Sequence, residues 1–72
     1  MSFYASVKLK REINEHYLAL YKHQEDLIKL EEERKSDPKA TVRNNEIKME
    51  ISEHKDHCKR LLKTITELEE KL

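Results

Sequence analysis

Apolar positions recur along this chain in alternating steps of four and three. Leu9, Ile13, His16, Leu20, His23, Leu27 and Leu30 form one unbroken ladder, and Ile47, Ile51, His54, Cys58, Leu61, Ile65, Leu68 and Leu72 form a second. This alternation puts every rung on one seam of an α-helix. Pro38 stands between the ladders, and a proline has no N–H to donate and collides with the preceding helical turn. The pattern therefore predicts a single all-α domain over residues 1–72, folded as an antiparallel, coiled-coil-like two-helix hairpin. Helix 1 is predicted from about Phe3 to Lys35 and helix 2 from about Pro38 to Lys71.

The turn between them is short. Asp37 precedes a proline and so resists the helical region, which ends helix 1 there. The same residue can serve as the N-cap of helix 2, with Pro38 in the first helical position, where a missing N–H is tolerated. Asn44 or Asn45 is the competing start. Folding the ladders about a turn at 36–38 pairs Leu27 with Ile47, His23 with Ile51, Leu20 with His54, His16 with Cys58 and Leu9 with Ile65.

Beside the first ladder runs a second row at helical spacing: Phe3, Val7, Tyr17, Tyr21 and Ile28, interrupted by Lys10, Asn14 and Gln24. Helix 2 carries only Leu62 on its flank, with Val42 and Met49 opposite the seam. One partner helix does not need so wide an apolar arc. Burying each such side chain is worth about 1.5–3 kcal/mol, so the row is expected to be a self-association surface. Two hairpins joined there would make a four-helix bundle.

Composition narrows the functional classes. The chain has 72 residues, no glycine and no tryptophan. Phosphate-cradling loops use glycine-rich backbone, and none can be built from this sequence. Fifteen basic and fifteen acidic residues cancel, which argues against a general electrostatic clamp for nucleic acid or an anionic membrane. A charged fraction of 42% would suit a disordered chain, but the strict phasing of the apolar residues favours a packed bundle. Residues 1–10 contain no apolar run of the secretory kind, and no segment reaches membrane-spanning length. Cys58 is the one cysteine, so no intrachain disulfide can form. A cytoplasmic compartment is expected.

Candidate chemistry gathers on the seam. His54 and Cys58 lie one turn apart, and the pairing above sets His16 beside them, with His57 turned to the flank. His16, His54 and Cys58 are thus the candidate ligand set for zinc, which takes imidazole and thiolate. Polar core layers that fix register account for the same residues without an ion, so no metal and no cofactor is expected. A Cys–His nucleophile pair would further need an oxyanion hole and a concave site, so the chain is read as non-enzymatic. Lys8, Lys10 and Arg11 on helix 1 and Lys59, Arg60 and Lys63 on helix 2 fall toward the open end of the hairpin, where they could touch a phosphate backbone. The expected function is protein–protein interaction as a helical-hairpin oligomer: an adaptor, inhibitor, assembly factor or structural subunit. Its partners would be a second copy of itself and another protein. RNA or DNA binding through the basic residues is the alternative.

Overall fold

The computed structural model describes residues 2–72 and contains two helices, α1 (Phe3–Ser36) and α2 (Thr41–Glu69). They pack against each other as a hairpin 57 Å long and 15 by 11 Å across. No described helix is long and apolar enough to cross a membrane.

Each helix end has a local cause. Ser2 caps α1, its Oγ accepting from the Ala5 N–H at 3.2 Å. Such a bond satisfies one of the orphan donors of the first turn. At the other end Arg34 and Lys35 lie in the last turn of α1, where cations suit the negative end of the helix dipole. Asp37 closes that helix in a non-helical conformation (φ −139°, ψ 79°), as a residue ahead of proline must.

Helix α2 starts at Thr41, not at Pro38, and not at Asn44 or Asn45. Asp37 does not cap it: Ala40 occupies the N-cap position and provides no side-chain bond. Asp37–Ala40 instead form a reverse turn in which the Ala40 N–H donates to the Asp37 carbonyl at 3.3 Å. Aspartate at the first position and proline at the second suit such a turn as well as they suit a helix start. The Asn44 side chain then donates to the same carbonyl at 2.9 Å. Arg43 locks the corner, its guanidinium gripping both Glu33 carboxylate oxygens at 2.6 and 3.1 Å.

The core is narrow and, among the described residues, lies on the two ladders. Leu9, Ile13, Leu20, Ile47, Ile51, Ile65 and Leu68 are buried, Ile47 and Ile65 almost completely. Tyr17, Cys58 and Leu61 pack against the open-end cluster while half-buried. Leu72, the last predicted rung, lies beyond the end of α2 and is exposed. No polar side chain among the described residues is buried, so the seam histidines are not sealed from water as a strict ladder would imply.

Candidate functional site

The later start of α2 changes which rungs meet. His23 pairs with His54 rather than with Ile51, a displacement of three residues that matches the move of the helix start from Pro38 to Thr41. The Nδ1 atoms of His23 and His54 lie 2.8 Å apart, so one ring donates its Nδ1–H and the other accepts with a lone pair. That geometry requires at least one neutral imidazole.

Two further side chains complete the layer. The ring of His57, expected on the flank, lies parallel to that of His23, with centroids 5.0 Å apart and planes within 6°. Arg60 Nη2 donates to His57 Nδ1 at 3.2 Å, and since a guanidinium can only donate, that nitrogen carries a free lone pair. Asp26, one turn after His23, brings a carboxylate oxygen into the group: one ligand-type atom each from His23, Asp26 and His54 all lie within 4.8 Å of one another. Desolvation holds His23 below the ordinary imidazole value of 6.5, with neighbouring His54 and His57 adding to the effect and Asp26 opposing it.

The candidate ligands His16, His54 and Cys58 do not converge. His16 turns back on its own helix, its Nδ1–H donating to the Glu12 carbonyl at 2.8 Å. Cys58 is free and packs against the apolar cluster. His54, the remaining member, is engaged with His23. The signal that would have found the observed group is a pair of matched i, i+3 spacings, His23–Asp26 and His54–His57, which only the correct turn brings face to face.

The second apolar row of α1 is mostly uncovered. Phe3 is 86% exposed, Tyr21 and Ile28 are each 58% exposed, and Val7 is also exposed. Tyr17 alone leaves the row, stacking on Tyr21 at 6.1 Å and donating from its hydroxyl to Glu69 Oε1 of α2 at 3.2 Å. Partial burial, followed by the Glu69 charge, raises the Tyr17 phenol above its ordinary value. Leu18 and Leu62 add exposed apolar surface elsewhere, as do Val42 and Met49.

The predicted basic residues are all exposed but do not form an uninterrupted band. Lys8 and Arg11 share an open groove with Tyr4, Val7, Glu12 and Glu15, so carboxylates interleave with the cations. Arg60 is turned toward His57. The densest charge cluster is at the turn, where Arg43 meets Glu33, Glu46 and Glu50. Comparison with family models, curated proteins and solved structures finds no match to this chain.

Proposed function

We propose that this hairpin is a non-enzymatic protein–protein interaction module that works as a self-associated helical bundle, two copies meeting through the outer face of α1. The observation that carries this reading is a row of exposed apolar side chains on α1. Phe3, Val7, Tyr21 and Ile28 stand uncovered along one face of α1. Tyrosine suits such a role, since its ring supplies contact area with few rotamers to freeze and its hydroxyl tolerates a wet rim.

The small core points the same way. Seven side chains among the described residues are buried, and chains of this size usually draw on oligomerisation, metals or disulfides for further stability. A four-helix bundle would cover the second row of α1 while leaving the charged outer face of α2 in water.

Light scattering on the purified protein at high micromolar concentration is expected to give a dimer or a larger assembly. The double substitution Tyr21→Glu and Ile28→Glu should produce a helical monomer, or an unfolded chain where folding and association are coupled. A wild-type monomer under those conditions would overturn the proposal.

A further inference from the structure

We propose that His23, Asp26 and His54 form a binding site for a divalent transition metal of the zinc class, which clips α1 to α2 at mid-hairpin. Helix α1 supplies two donors three residues apart, His23 and Asp26, which share one of its faces, and α2 supplies His54 from across the seam. Inward-facing i, i+3 pairs on neighbouring helices are a recurrent way of building metal sites in bundles. Here the donors already converge, with all three ligand-type atoms within 4.8 Å.

The geometry is close to what an ion needs. Zinc–nitrogen bonds of about 2.0–2.1 Å in a tetrahedral arrangement separate two nitrogens by about 3.3 Å. The His23 and His54 Nδ1 atoms stand 2.8 Å apart, so a small opening of the pair admits an ion between them. Both rings then need their Nδ1 lone pairs, and the ring that donates in the metal-free pair shifts its proton to Nε2. Asp26 closes in through a rotamer change and supplies the third donor and a negative charge. Two imidazoles and one carboxylate suit zinc-class ions better than calcium or magnesium, which prefer oxygen donors throughout. The three side chains are half-buried, which lets an ion enter from solvent. Water fills the fourth position, and His57, stacked on His23, braces that ring without ligating.

The test uses tag-free protein stripped with a strong chelator and dialysed. Calorimetric titration with zinc chloride is expected to show one ion per chain, and zinc should raise the melting temperature, because an ion bound only by the folded state stabilises it by mass action. His23→Ala and His54→Ala should each lower affinity by more than about tenfold, beyond the lower end of what loss of an outer-shell partner does. Asp26→Asn should also weaken binding. His16→Ala and Cys58→Ala should retain wild-type affinity. Circular dichroism reports whether each variant is helical, and a His23→Gln, His54→Gln pair keeps the layer polar and similar in size if the alanine variants unfold. Cobalt substitution should give visible d–d bands without a thiolate charge-transfer band. The proposal is overturned by absence of binding to the wild type, by a helical glutamine pair that binds undiminished, by loss of binding in Cys58→Ala or His16→Ala, or by one ion shared between two chains.

Discussion

The two halves of the seam are built differently. Toward the open end, Leu9, Ile13, Leu20, Ile65 and Leu68 make one continuous apolar cluster, with Tyr17, Cys58 and Leu61 against it. Toward the turn, Ile47 and Ile51 are equally dry but stand outside that cluster. Directional contacts between the helices concentrate there, the His23–His54 bond and the Arg43 fork on Glu33, against one exposed hydrogen bond across the open half, Tyr17 to Glu69. Apolar rungs stabilise without direction, and a slip of one rung still sets leucine against isoleucine. Hydrogen bonds to a ring nitrogen or a carboxylate allow no such slip. The open half therefore supplies most of the free energy, and the turn half selects one register from several that hydrophobic burial would accept.

The largest expected effect tests the first part of that division. Ile65 is 1% exposed inside the cluster, and Ile→Ala at a buried site costs about 2–5 kcal/mol through lost transfer energy and an imperfectly collapsed cavity. Folded domains have only about 5–15 kcal/mol in hand, so Ile65→Ala should melt far below the wild type. Ile47→Ala, at a site with no exposed surface, is expected to cost less, because it lies at a corner where the ends of two helices can close around the gap. Equal falls in melting temperature would show that the halves are one core.

An intermediate effect tests the second part. Replacing His23 and His54 together by leucine converts the polar layer into another apolar rung. Swapping an interior polar pair for well-packed apolar residues is often neutral or stabilising, so the chelator-treated variant should melt above chelator-treated wild type. Register should loosen at the same time, with hydrogen exchange near the turn becoming faster or heterogeneous. A variant that melts well below the wild type would mean that the histidine layer contributes stability rather than selection.

The same division marks what could be read from the residues alone. Every buried side chain among the described residues is a rung of one of the two ladders, because burial along a helix is set by a period that the sequence carries openly. The uncovered row on α1 follows from the same period. Asp37-Pro38 was ambiguous in principle, since an N-cap followed by the first helical residue and the first two positions of a reverse turn call for the same residue types. Contacts distant in sequence accompany the turn: Arg43 reaches back to Glu33, and Asn44 to the Asp37 carbonyl. Three residues of displacement at the turn then moved His54 from beside Leu20 to His23 and took His16 away from the His54–Cys58 pair. Site chemistry was illegible because it depended on register, and register depended on the corner.

The smallest expected effect concerns that corner and is read from its pH dependence. The Arg43 guanidinium hydrogen-bonds Glu33 and holds its carboxyl below the ordinary value of 4.5. Arg43 itself is pushed upward, by Glu33 first and then Glu50, and stays charged throughout. Since the Glu33 value is lower in the folded state, the unfolded chain binds more protons as pH falls past 4.5. The pair's contribution is therefore fully present above that value and is lost as pH drops through the folded one. Its size is small, because the two side chains are 41% and 47% exposed and salt screens them. Melting curves of wild type and Glu33→Gln between pH 7 and 3 should show the wild type slightly ahead at neutral pH, with the gap closing in acid and narrowing at high salt. A gap that does not change with pH would mean that the fork fixes the corner by geometry alone, with the charge on Glu33 contributing nothing.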